Sequence, residues 1–210
     1  MRNDTKMSKT RGRPRKFDET QAVAAAMNVF WKKGFSATSL DDLSEATGIN
    51  RPSLYNAFGD KEAIYRRSLQ MMRGHMQHAA EETLGKPVLR DALVGLYNAA
   101  IDVYLSTNPQ AGCFVFCTAP AEAINHPDLK ADMRNVLDEI DEMFQARFIR
   151  ALKDRELPDT FDAKTAAKLA QAILHSIALR ARSGETKNSL RKFARHAVEV
   201  VIGSAVSPQR

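Results

Sequence analysis

Cysteine is nearly absent: Cys113 and Cys117 are the only two in 210 residues, too few and too close together for a secreted disulfide framework. Long apolar runs are missing too. No stretch approaches the roughly 18 residues that would span a bilayer, and the N-terminus has charge without the hydrophobic segment of a signal peptide. A cytoplasmic protein with no membrane partner is expected. There is no phosphate-cradling Gly-rich loop, no His-Glu-x-x-His, no Cys-x-x-Cys and no Gly-x-Ser-x-Gly, and the five histidines keep no ligand spacing. These absences argue against an enzyme and against a resident metal or cofactor. Acidic side chains are scarce in one place, the first 16 residues.

There Arg2, Lys6, Lys9, Arg11, Arg13, Arg15 and Lys16 face Asp4 alone, a surplus of +6 that equals the net charge of the whole chain. Residues 17–210 therefore balance, with 24 basic side chains (31 less 7) against 24 acidic ones (25 less 1). The basicity is an arm, residues 1–16. Such an arm gains affinity for phosphates by releasing counterions, and Arg11, Arg13 and Arg15 have the spacing to lie in a minor groove. Taken alone, a basic run is as readily a solvated tail. The segment that follows decides between the two.

Residues 38–61, TSLDDLSEATGINRPSLYNAFGDK, read as two short helices joined by a three-residue turn. Thr38 or Ser39 can cap the first helix, Asp41 and Asp42 place negative charge in its first turn, and Leu40, Leu43 and Ala46 recur at helical spacing. Gly48 ends it, Ile49 plugs the angle, and Asn50 can cap the second helix. On that second helix Leu54, Ala57 and Phe58 share an inward arc. Pro52 and Asn56 lie opposite, flanked by Arg51, Ser53 and Tyr55, with no acidic side chain on the helix. A short, polar, acid-free face is what a helix needs to enter a major groove lined by phosphates.

At these residues the chain resembles the DNA-binding domain of the TetR/AcrR family of bacterial regulators, in WKKGF (31–35), TSLDDL (38–43), GINRPSLY (48–55) and FGDKE (58–62). The resemblance covers about a quarter of the chain; several motifs in order and spacing make it specific. It implies a homodimeric repressor of a palindromic operator in double-stranded DNA, released by a small-molecule effector that the sequence does not identify. It also implies that Arg51, Pro52, Ser53, Tyr55 and Asn56 meet bases or phosphates, that Lys61 contacts a phosphate, and that Thr38 and Ser39 rest on the opposite phosphate wall. Asn56 suits adenine and Arg51 guanine, since each can bond such a base twice.

Apolar spacing is helical throughout, apart from a brief strand-like ambiguity at Phe114 to Cys117, so an all-α fold is expected. The expected organisation is a basic arm (1–16), a helix-turn-helix DNA-binding domain (17–62) and a larger helical effector-binding and dimerisation domain (63–206). Asp18 with Gln21 should form a capping box for the first helix, which stops at Gly34. After the second short helix, further helices are expected from Asp60 past Met76, over Leu89 to Leu105 (closed by Asn108 and Pro109), Cys113 to Glu122, Pro127 to Glu156, Asp162 to Arg182 and Thr186 to Ser204. The last two carry stripes of small apolar residues (Ala166, Ala170, Ile173, Ile177, Ala181; Leu190, Phe193, Ala197, Val200, Val201) that can pack a dimer or complete the core. Tyr97, Tyr104, Phe114, Phe116, Phe144, Phe148 and His175 are candidate pocket walls. Cys113 and Cys117, four apart, open an alternative reading as a redox- or metal-responsive sensor, as does the Met/His-rich tract from Met71 to His78.

Overall fold

The computed structural model describes residues 17–106 and 111–204 of the chain, most of them helical. The arm with Arg11, Arg13 and Arg15, and the Asn108–Pro109 pair, lie outside the described residues. Among those described there are nine helices and no strand: α1 (Glu19–Lys33), α2 (Leu40–Thr47), α3 (Arg51–Phe58), α4 (Lys61–Leu84), α5 (Leu89–Tyr104), α6 (Phe114–Thr118), α7 (Pro127–Lys153), α8 (Ala163–Arg182) and α9 (Lys187–Ser204), with one 3-10 turn at Glu122–Ile124 before α7.

Local chemistry sets most of these ends. The Asp18 carboxylate accepts from the Thr20 and Gln21 amides at 2.8 and 3.2 Å, so Gln21 contributes its main chain rather than the reciprocal bond expected of it. Gly34, at φ +81°, turns the chain out of α1. Asp60 and Asp162 cap α4 and α8 in the same way, and Pro127 opens α7 at a position where its missing N–H is not needed. The helix expected from Cys113 to Glu122 is cut to five residues. Pro120 lacks the amide that would continue the ladder, so the chain leaves α6 and resumes as the 3-10 turn. The ambiguity at Phe114–Cys117 thus resolves as helix.

α4 and α7 run side by side in the same direction, held by Arg66 on Asp132 (2.7 Å) and Arg73 on Glu139 (3.1 Å), two rungs of equal sequence offset. α5 returns against α4 after the short turn at Gly85. One core runs from α1 to α9, with Phe30, Tyr65, Tyr97, Phe144 and Phe148 among its fully buried side chains.

The alanine stripe of α8 belongs to this core. Ala166, Ala170, Ile177 and Ala181 are buried within the chain, as are Leu190, Ala197 and Val201 of α9. Their small size lets α8 approach its neighbours closely inside the monomer. A different set remains open on the same two helices: Leu169, Leu179 and Val200 are exposed, and Ile173 and Phe193 are half-buried.

Candidate nucleic-acid interface and internal cavity

Ser39 builds the start of α2. Its hydroxyl accepts from the Asp42 amide at 3.1 Å while the Asp42 carboxylate accepts from the Ser39 amide at 2.9 Å, a closed capping box. Lys33 bonds the same carboxylate at 2.6 Å; that bond first, then those from Ser39, hold Asp42 down at about 2. Thr38, the alternative cap, is buried, and its hydroxyl donates to the Gly34 carbonyl at 2.6 Å. It braces the turn after α1 and does not offer its side chain to DNA.

The turn into α3 is locked at each residue. Gly48 adopts φ +67°, ψ +16°, a left-handed conformation that suits glycine. The Ser44 hydroxyl donates to the Ile49 carbonyl at 2.7 Å, Ile49 is buried, and the Asn50 side chain accepts from the Ser53 amide at 2.9 Å. α3 then buries Leu54 and Phe58, with Phe17 packed on Phe58. Arg51, Pro52, Tyr55 and Asn56 are exposed and Ser53 half-buried. Tyr55, 66% exposed, is not part of the core.

Two contacts were not legible beforehand. Arg51 is paired through Nε and Nη2 with Asp41 of α2, both side chains being open to solvent. Lys61, expected on a phosphate, turns inward: its ammonium donates to the carbonyls of Phe35 and Thr38, at 3.0 Å each, and lies 4.3 Å from the centre of the Phe35 ring. It ties α4 to the turn before α2.

The helix-turn-helix unit is joined to the rest of the chain through residues 112–126. The Trp31 indole donates to the Gly112 carbonyl (2.9 Å) and meets the Phe114 ring edge-on. The hydroxyls of Tyr65 and Thr118 share a bond of 2.6 Å, Ser36 donates to Glu122 at 2.7 Å, and His126 Nδ1 lies 2.9 Å from Glu62.

Above this junction a cavity of about 680 Å³ opens between α4, α5 and α7. Of the aromatic residues expected to line it, Tyr104 and Phe114 do, joined by Trp31 from α1. Tyr97, Phe144 and Phe148 are core instead, Tyr97 donating to the Ala170 carbonyl at 2.9 Å. Phe116 lies against His175 at a tilt of 49°, and His175 faces a separate surface groove on α8. Met72, His75 and Met76 bring part of the Met/His tract to the cavity wall. Cys113 also reaches it, but burial pushes its thiol up to about 11 and raises Cys117 as well. Neutral thiols are poor nucleophiles and metal ligands. No cluster of three or more metal-ligating side chains occurs among the described residues, and no described helix is long and apolar enough to cross a membrane.

Residues 22–67 match the family described as bacterial regulatory proteins, tetR family. Along nearly its whole length the chain is similar to the transcriptional repressor ComR of Escherichia coli K12, 32% identical over 196 residues that make up 90% of each protein. It is 38% identical over 112 residues to the repressor BdcR of the same organism, covering 52% of this chain and 56% of that one. A cysteine mutant of the TetR-family regulator CifR, solved with 26-bp double-stranded operator DNA, superposes with a TM-score of 0.80 at 28% identity, over 89% of this chain and 98% of that one.

Proposed function

Given that the chain belongs to the TetR family of bacterial regulatory proteins, we propose that it is a homodimeric, sequence-specific DNA-binding repressor that leaves its operator when a small molecule fills the cavity beside Trp31. The observation that carries this is the face of α3. Pro52, Tyr55 and Asn56 stand in solvent on a helix without an acidic residue, positioned by a turn whose three residues are each bonded or buried. Arg51, Ser53 and Ser39 complete the proposed contact surface. Lys61 and Thr38 support it from within. Arg11, Arg13 and Arg15 add minor-groove contacts.

In this reading residues 1–16 are the arm, 17–62 read DNA, and 63–206 bind the effector and the second protomer; the protein works in the cytoplasm, where its operator is. The apolar residues left open on α8 and α9 form the dimer face. Half-sites are then about 34 Å apart, one helical turn. A bound dimer represses by excluding polymerase from the DNA it occupies.

Footprinting on DNA upstream of the protein's own gene, repeated over a range of salt, tests the reading. A protected palindrome with affinity falling steeply as salt rises is expected. Equal retention on every sequence would sink it.

A further inference from the structure

We propose that the cavity takes an elongated apolar molecule with an oxygen acceptor at one end, of the long-chain carboxylate or ester class, its oxygen at Arg147 and its chain running to Trp31. This rests on reading residues 63–206 as the effector domain and names the chemistry of that effector.

The shape follows from the helices. α4 and α7 are parallel walls and α5 is the floor, so the cavity is a slot; its lining on α4 runs from Met72 to Leu84, about 18 Å at 1.5 Å per residue. Alanines keep it open along that length, Ala79 and Ala80 on one wall, Ala99 and Ala100 on the floor, and Ala146 on the other wall, while Leu96, Ile140 and Met143 make it apolar. A compact polar solute would leave most of this surface unfilled. A chain would cover it.

The two ends differ. At the near end Trp31, Phe114 and Cys113 close the slot, and the Tyr104 hydroxyl is buried there without an oxygen or nitrogen partner. At the far end stands Arg147, 4% exposed. Its Nη2 donates to the carbonyls of Lys86 and Pro87 and to Glu156, at 3.2 to 3.3 Å, but its Nε and Nη1 have no partner. Buried guanidinium donors without acceptors are costly, and an entering oxygen relieves that cost. The same end holds Arg150 and the Gly85 turn. Glu81 and Glu142 line the slot between the ends with their side chains exposed, so a cationic amphiphile is the competing ligand class.

Trp31 is the only tryptophan in the chain and forms the near wall, so its emission reports occupancy directly. The experiment adds dodecanoate, methyl dodecanoate or dodecylamine, below micelle formation, to the full-length protein and follows Trp31 fluorescence. Saturable changes with the acid and the ester are expected; agreement between them assigns the shared oxygen chemistry, and preference for one identifies the source. Arg147→Met should weaken both by about tenfold or more, the loss of a charge-assisted bond. Because that variant also frees the 86–87 carbonyls, Ala100→Phe, which fills the slot from its floor, serves as the second variant and should abolish the response while thermal unfolding remains cooperative. No saturable response, tighter binding of dodecylamine than of dodecanoate, or undiminished binding by Ala100→Phe overturns the proposal. Operator retention without additive is measured on the same samples. Its absence overturns the regulator reading, whereas retained DNA with a silent Trp31 overturns only the ligand.

Discussion

In the proposed complex Arg51 exchanges one partner for another when DNA arrives. Its ion pair with Asp41 joins two exposed side chains, and such a pair adds little to stability, while a bidentate contact to guanine is the commonest specific contact of an arginine in a major groove. The exchange therefore favours DNA, with Asp41 holding the guanidinium near its working position in the meantime. Asp41→Asn removes both the competitor and a negative charge beside the proposed contact surface, so operator affinity should rise by about a few-fold; fluorescence anisotropy on labelled operator measures it, and a loss of affinity would show that the pair has a structural role instead. Lys61 is the contrasting residue. Its two bonds to carbonyls are internal, so Lys61→Ala should lower stability by about 1–3 kcal/mol and leave the slope of log affinity against log salt unchanged. A slope that flattens by about one unit would return Lys61 to the phosphates.

The 112–126 element connects what binds DNA to what can bind a ligand, and Gly112 is its tightest point. Its φ is +69°, and a Cβ placed there would lie 2.5 Å from the Ala178 carbonyl oxygen and 3.0 Å from the Cys117 sulfur. Gly112→Ala is consequently strained in two ways; it should cost about 1–3 kcal/mol and shift Trp31 emission, because the Gly112 carbonyl is the indole's acceptor. Unchanged melting together with unchanged emission would refute the junction as described. Elements of this kind divide what a sequence can disclose from what it cannot. Ser39, Gly48, Asn50 and Asp60 act on atoms within a few residues of themselves, so α2, the turn and α3 were legible, short of the choice between Thr38 and Ser39 as the cap of α2. Lys61 reaches back 23 and 26 residues and Trp31 reaches forward 81, and no local pattern encodes such contacts. The alanine face of α8 is a middle case: its periodicity was plain, but which neighbour covers it depends on how α5, α7 and α9 assemble.

At the scale of the whole molecule, α8 has a second apolar face that the described residues leave open. Leu179, 59% exposed, projects from the groove that also contains His175 and Ser183. Leu179→Glu should convert the dimer to monomer in analytical ultracentrifugation and weaken operator binding, since one recognition helix would have to bind without its twin; a charged dimer of undiminished affinity would move the interface elsewhere. His175 links the same region to pH. Its ring rests on Phe116, centroids 3.7 Å apart, its Nε2 has no partner, and burial lowers its pKa from 6.5 to about 4. The sign follows from where the proton goes. Between those values the unfolded chain binds the proton and the folded chain does not, so acid draws the equilibrium toward unfolding. His175 thus leaves stability unaffected above 6.5, erodes it as pH falls toward 4, and adds no further slope below. His175→Gln cannot take up that proton, so its unfolding free energy, followed by urea titration from pH 7 to pH 4, should fall less steeply than that of the native protein. Parallel pH curves for the two proteins would mean that the ring is protonated in the folded state and that the region around Phe116 admits charge.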